Sequence, residues 1–205
     1  MPSPQLFDLP LFPLQTVLFP GGLLSLKVFE ARYLDLVAQC VREQKIFGVV
    51  SLKQGVEVRK NNDPTVFETT GTVAELIDVD SAQSGILMVR CRGTQRFEVK
   101  RSQQESDGLW VAKATLVPDD EAVAPAEAMH ETVRGLANAI ATLRTQGSEP
   151  FLQPYLFDNA GWVANRWCEI LPISIAAKQK LMELPDAQVR LQLVNDFLRS
   201  KGVVK

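Results

Sequence analysis

Leu9-Pro10-Leu11-Phe12-Pro13-Leu14, then Val17-Leu18-Phe19-Pro20-Gly21-Gly22, then Leu23 to Phe29, then Glu30-Ala31-Arg32-Tyr33 carry the strongest structural signal in this chain. The apolar runs are short and cut by prolines. Proline donates no backbone hydrogen bond, so these pieces suit edge strands or strand ends. Gly21-Gly22 supplies a turn, and Leu23 to Phe29 reads as a strand. From Glu30 to Lys45 the period changes. Tyr33, Leu36, Val37, Cys40 and Val41 recur at spacings of three and four, on one face of a helix.

Outward from this stretch, Ile46 to Leu52 is a β-branched run that reads as a strand. Gln54 to Thr65 is polar and holds Asn61-Asn62-Asp63-Pro64, a loop or hairpin tip. Four strands are expected next: Phe67 to Val79, Ile86 to Arg92, Thr94 to Lys100 and Leu109 to Val117. Asp80 to Gly85, Gly93, and Ser102 to Gly108 supply the turns between them. Trp110, Ala112, Ala114 and Leu116 alternate onto one face, as do Phe97 and Val99. About seven short strands with one helix suit a closed or nearly closed barrel, which hides sheet edges.

The text changes near Pro118 from strands to helices. Pro125 suits a helix first turn. Met129, Val133, Leu136, Ile140 and Leu143 alternate spacings of four and three, the stripe of a bundle helix, and Gly147 is its stop. Asn159 caps a helix carrying Val163, Trp167, Ile170 and Leu171, which Pro172 ends. Ser174 caps the next, running to Leu184. Asp186 caps the last, with Val189, Leu193 and Phe197 facing inward beside Val194 and Leu198. The expected class is α+β. Residues 1–118 form a β-barrel with one inserted helix, and residues 119–205 form an α-helical bundle.

The 205 residues are 46% hydrophobic and 22% charged, an ordinary globular balance. A chain of this length buries roughly 70% of its unfolded surface, so neither disulfides nor metals are required. The net charge of −2 lacks the basic balance of a nucleic-acid binder. Cys40, Cys91 and Cys168 are widely separated and read as buried thiols of a cytoplasmic protein. Met1-Pro2-Ser3-Pro4 does not open a secretory signal, and no apolar run is long enough to span a membrane.

Catalytic patterns are sparse. His130 is the single histidine, and no Cys-x-x-Cys pair joins it, so no zinc set is expected. It lies in a helical stretch with no Gly-x-Ser-x-Gly elbow, which makes it a surface or boundary residue rather than the base of a triad. No phosphate-binding glycine loop occurs. Ser174 and Lys178 share a helix face, but an N-cap serine beside a solvated lysine explains both. Asp119, Asp120 and Glu121 read as solvated charge at a linker. Lys53, Arg59 and Lys60, and likewise Arg90, Arg92 and Arg96 across a hairpin, read as solvated basic faces. No cofactor, metal or catalytic residue is assigned.

The opening residues, above all the run ending in Phe29-Glu30-Ala31-Arg32-Tyr33, resemble the start of the amino-terminal domain of Lon proteases. Phe47-Gly48-Val49-Val50, Gly71-Thr72-Val73-Ala74-Glu75-Leu76 and Arg92-Gly93-Thr94-Gln95-Arg96-Phe97 are similar to its later strands. Lys178 to Glu183 and Arg190-Leu191 are similar to its closing helices. The resemblance spans nearly the whole chain. It implies a PUA-like β-barrel (pseudobarrel) followed by a helical bundle, of bacterial type, in a domain that helps Lon recognise protein substrates and assemble.

The quoted residues stop at Lys205 before any ATPase or Ser-Lys peptidase pattern. A stand-alone, non-catalytic substrate-binding-domain protein is therefore expected. It would bind unfolded polypeptide or a protein partner, with a separate protease as one candidate, as a monomer or weak homodimer. Phe12, Phe19, Phe29, Glu30, Arg32 and Trp110 are the candidate family-motif or binding-surface residues. Arg32 would either bond carbonyls at a barrel mouth or touch a ligand. The proline-cut strands and the face near Trp110 are where a free edge or apolar groove is expected. The alternatives are an RNA-binding PUA-like protein, disfavoured by the charge, and a small-molecule enzyme with a pocket between barrel and bundle.

Overall fold

A computed structural model describes residues 5–54 and 65–204. The amino-terminal tetrapeptide and most of the expected loop after Gln54, with Arg59 and Lys60, lie outside the described residues. The strands are β1 (Phe7–Leu14), β2 (Leu23–Val28), β3 (Phe47–Gln54), β4 (Val66–Phe67), β5 (Thr70–Gln83), β6 (Ile86–Gln104) and β7 (Trp110–Leu116). Helix α1 (Ala31–Glu43) lies between β2 and β3. A 3₁₀ turn (Glu127–Met129) precedes α2 (His130–Thr145), α3 (Ala160–Ile170), α4 (Ile175–Glu183) and α5 (Ala187–Ser200). The chain divides into two compact units, Met1–Pro118 and Asp119–Lys205.

The first unit is built on one mixed sheet in the order β1-β7-β6-β5-β3-β4, with β2 on β6. β1 also pairs in parallel with β3. β1 exchanges neighbours at Leu11. Phe7 to Leu11 face β7, and Leu11 to Leu14 face β3. Pro10 and Pro13 thus sit where β1 has a single strand neighbour, so a missing N–H costs the ladder little. Val17-Leu18-Phe19 forms no strand, contrary to the sequence expectation. It is held instead by Thr72, whose Oγ1 donates to the Leu18 carbonyl at 2.6 Å.

The two strands expected on either side of Gly93 are one continuous strand, β6. Gly93 does not reverse the chain. Its N–H donates to the Gly22 carbonyl at 2.9 Å, and its own carbonyl accepts from Gly21 N–H at 2.8 Å. A Cβ here would lie 2.4 Å from the Phe19 carbonyl oxygen. The glycine is required by this close backbone approach, not by a turn.

Two apolar clusters fill the unit. One packs Tyr33, Leu36, Val37 and Cys40 of α1 against Phe12, Phe47, Val89 and Cys91. The other joins Leu9, Leu11, Val50, Val73 and Phe97. Each fully buried side chain of this kind contributes about 1.5–3 kcal/mol. Val41, expected on the buried face of α1, is 56% exposed. It is the last residue of the stripe and falls at its margin.

In the second unit the expected caps are present. Asn159 accepts from Trp162 N–H at 2.8 Å, Ser174 from Ala177 N–H at 3.1 Å, and Asp186 from both Gln188 and Val189 N–H. Helix α3 touches α2, α4 and α5, and every residue from Ala160 to Cys168 is buried. Pro125 lies ahead of the first helical turn rather than in it. The buried face of α5 is Ala187, Arg190, Leu191, Val194, Asn195 and Leu198, whereas Val189 and Leu193 are exposed. The polar Arg190 and Asn195 disguised the inward face, and the competing stripe through Val189 and Leu193 looked more apolar.

Candidate functional site

Glu30 occupies the N-cap position of α1 without giving its side chain to the helix. Its carbonyl accepts from Tyr33 and Leu34 N–H, and its carboxylate accepts from Arg32 Nη2 at 2.9 Å. Arg32 Nη1 donates to the Gly108 carbonyl at 2.8 Å, in the turn between β6 and β7. The guanidinium lies 4.6 Å from the centre of the Tyr33 ring, and that ring stacks on Phe12 at 3.8 Å. The Arg32 side chain is 9% exposed. Its Nε has no hydrogen-bond partner among the described residues. These contacts join the start of α1 to the turn between β6 and β7 through Arg32.

The six motif residues do not form one surface. Phe12, Glu30 and Arg32 meet around Tyr33. Phe19 is fully buried, with its carbonyl against Gly93. Trp110 is half-buried, edge-on to Phe67 at 5.3 Å. Phe29, at 47% exposure, is the one of the six that presents a large apolar side chain to solvent.

The remaining reactive groups have structural surroundings. His130 is exposed at the first residue of α2. Among the described residues no group of three His, Cys, Asp or Glu could hold a metal. Burial pushes the Cys91 and Cys168 thiols up to about 12 and also raises that of Cys40, which disfavours the nucleophilic thiolate. Ser174 caps α4. Lys178 is not a solvated lysine: its Nζ donates to the Glu169 carbonyl at 2.9 Å. Asp120 is not free linker charge, because it accepts from the buried Arg190 at 2.5 Å. Arg92 pairs with Glu75 at 2.9 Å, Lys53 pairs with Glu68 at 2.7 Å, and Arg96 is buried. Among the described members of the two expected basic faces, Lys53 and Arg92 are thus ion-paired and Arg96 is buried. Burial pushes Glu169 up to about 7, against the opposing pull of Arg166 and Lys178.

A different feature was not anticipated. Among the described residues β5 pairs with β3 only from Thr72 to Ala74, and beyond Ala74 its sole strand neighbour is β6. The other edge, Glu75 to Gln83, is open among the described residues. Beside it lies a cavity of about 540 Å³, walled by the carboxy-terminal end of α1 and by Glu75 to Val79. Val41 and Ile77, at 56% and 46% exposure, stand on its two walls. The available signal was weak: an apolar residue at the margin of a helix stripe and another out of phase in a strand. Single exposed apolar residues are common on any protein surface.

The family model described as "ATP-dependent protease La (LON) substrate-binding domain" matches residues 8–200. Lon protease from Anaeromyxobacter dehalogenans is 28% identical over 205 residues, a match covering 94% of this chain and 23% of that protein. Lon protease 2 from Myxococcus xanthus is 27% identical, covering 94% of this chain and 24% of that protein. The chain thus spans about a quarter of the length of the curated relatives it matches. The crystal structure of a Lon N-terminal domain protein from Xanthomonas campestris superposes with a TM-score of 0.73 at 31% identity, covering 93% of this chain and 98% of that one. The N-terminal domain of Mycobacterium avium complex Lon protease gives 0.60 at 16% identity, which shows a shared fold. No helix among the described residues is long and apolar enough to cross a membrane.

Proposed function

The chain belongs to the ATP-dependent protease La (LON) substrate-binding domain family, and on that basis we propose that it is a non-catalytic module that binds polypeptide segments or a protein partner. The observation that carries this reading is the family match from residue 8 to residue 200, which runs through both compact units. No ATPase or peptidase role is assigned to these residues. The accompanying structural reading is a PUA-like barrel followed by a helical bundle. The circuit of pairings from β1 through β7, β6, β5 and β3 back to β1 supports the barrel. Its setting would be cytoplasmic, as a monomer or weak homodimer, and a separate protease is one candidate partner.

Binding of this kind needs an exposed apolar groove or an open strand edge. Phe29 and the open edge of β5 answer that requirement better than the proline-cut β1, whose residues already have strand neighbours on β7 and β3. The test is an equilibrium titration of the chain with several reduced, alkylated proteins and with their native forms. Saturable binding that favours the unfolded forms is expected. Absence of binding to all of them at high micromolar concentration removes this reading.

A further inference from the structure

We propose that two copies of this chain pair through the outer face of α5, the helices antiparallel about a twofold axis at Leu193. Of the monomer and the weak homodimer, this selects the homodimer and names its contact. It does not depend on polypeptide binding.

α5 carries two apolar stripes and buries only one. Ala187, Leu191, Val194 and Leu198 are buried with Arg190 and Asn195. Val189, Leu193 and Phe197 recur every four residues and make the second stripe, on another face of the helix. Val189 and Leu193 are 47% and 48% exposed, and Phe197 is half-buried. One exposed apolar residue needs no explanation, but a stripe aligned along a helix is the form that a helix–helix contact requires.

Charge identifies the occupant as a second copy. Asp186 and Lys201 bracket the stripe, seven residues before Leu193 and eight after it. Asp186 accepts from Gln188 and Val189 N–H, and Lys201 Nζ lies 5.6 Å from the centre of the Phe197 ring. Neither has an ion pair among the described residues. Turning a second α5 end over end about Leu193 sets Val189 against Phe197, Leu193 against Leu193, and Asp186 beside Ser200 and Lys201 of the other copy. An opposite-charge pair then closes each end. A parallel pairing would instead set Asp186 against Asp186 and Lys201 against Lys201, which is destabilising. Each charge also suits the dipole of its own helix. That accounts for the two signs, but not for an apolar stripe centred between them. Asp196, beside the stripe, accepts from Gln192 Nε2 at 2.8 Å and Asn195 Nδ2 at 3.3 Å. In the antiparallel pair it would stand about 9 Å along the axis from its own mate. Arg190 is engaged by Asp120. At about 21 Å, one such helix pair covers less than the roughly 1,200 Å² of a standard interface, so the association is weak.

The test is sedimentation velocity of the full chain from low micromolar to millimolar concentration. The sedimentation coefficient should rise reversibly from that of a monomer towards that of a dimer. Leu193→Glu should weaken pairing by about a hundredfold, because an apolar contact is lost from both copies and two carboxylates are opposed. Lys201→Glu and Asp186→Lys should each weaken it by about tenfold when alone. An equimolar mixture of these two variants should associate better than either, because the mixed dimer regains an opposite-charge pair at both ends. Circular dichroism checks that each variant is folded, since Asp186→Lys also removes a helix cap. If that variant does not fold, Leu193→Glu still decides whether α5 is the contact. A wild-type chain that stays monomeric at millimolar concentration overturns the proposal and leaves polypeptide binding untouched. A dimer unaffected by Leu193→Glu overturns the assignment to α5. A mixture no better than its components overturns the antiparallel register.

Discussion

Arg32 Nη1 and the Gly108 carbonyl oxygen lie 2.8 Å apart across 76 residues of sequence, and this bond fastens the start of α1 to the turn between β6 and β7. Gln104 Nε2 donates to the same oxygen at 3.0 Å. Arg32 also spans Glu30 and the Tyr33 ring, so three contacts depend on one planar group. Arg32→Ala should destabilise the first unit by about 2–4 kcal/mol, the sum of a charge-assisted hydrogen bond and lost packing. Arg32→Lys should recover only part of this, because an ammonium cannot reproduce the fork. Denaturant unfolding measures both. Wild-type stability in Arg32→Ala would show that the clamp is not structural.

Gly93 and Gly85 make a contrasting pair. A Cβ at Gly93 meets the Phe19 carbonyl at 2.4 Å and the Leu18 side chain at 2.9 Å, whereas a Cβ at Gly85 meets nothing within 4 Å. Gly93→Ala should cost about 1–3 kcal/mol through forced backbone movement. Gly85, at φ +77°, should cost about 1 kcal/mol from its left-handed conformation alone. Equal midpoints for the two variants would contradict the close approach at Gly93.

Asp120 and Arg190 form a buried ion pair of the second unit. Arg190 also donates to Asn165 at 3.1 Å and to the carbonyls of Leu181 and Leu184. Asp120→Ala leaves a buried guanidinium without its counter-charge and should cost about 3 kcal/mol. The joint replacement of Asp120 by Ala and Arg190 by Met should be less damaging than the single change, since it removes the stranded charge. A double variant as unstable as the sum of both singles would contradict this.

Glu169 gives the second unit a pH dependence. Burial raises its carboxyl from the usual 4.5 to about 7, so the folded state holds a proton that the unfolded state has released. Its stabilising contribution is complete below about pH 4.5 and is lost as pH rises through 7, by up to about 3 kcal/mol. Unfolding midpoints measured between pH 5 and 8 should fall with rising pH in the wild type, and the slope should flatten in Glu169→Gln. A variant with the wild-type slope would assign the dependence elsewhere.

Much of this architecture was legible where local chemistry is unambiguous. Asn159, Ser174 and Asp186 mark helix starts because their oxygens satisfy specific amides. The change at Pro118 marks the division between units. Features that depend on distant partners were not legible. Gly93 resembled a turn because its crowding comes from Phe19, far away in sequence. Arg190 and Asn195 were not among the residues expected to face inward, because Asp120 and Thr132 satisfy them only after folding. The burial of Phe12 and Phe19 was not legible either, because an apolar aromatic residue reads alike in a core and on a recognition surface. The open edge of β5 depends on where β3 stops pairing, and no residue in β5 announces that.

Polypeptide binding is the function proposed for these 205 residues. Isothermal titration of the chain with a reduced, alkylated protein, repeated at several temperatures, tests it most directly. Saturable binding with a negative heat-capacity change is expected, because apolar surface is buried on association. A flat titration up to high micromolar concentration at every temperature, by a chain shown to be folded, would contradict it.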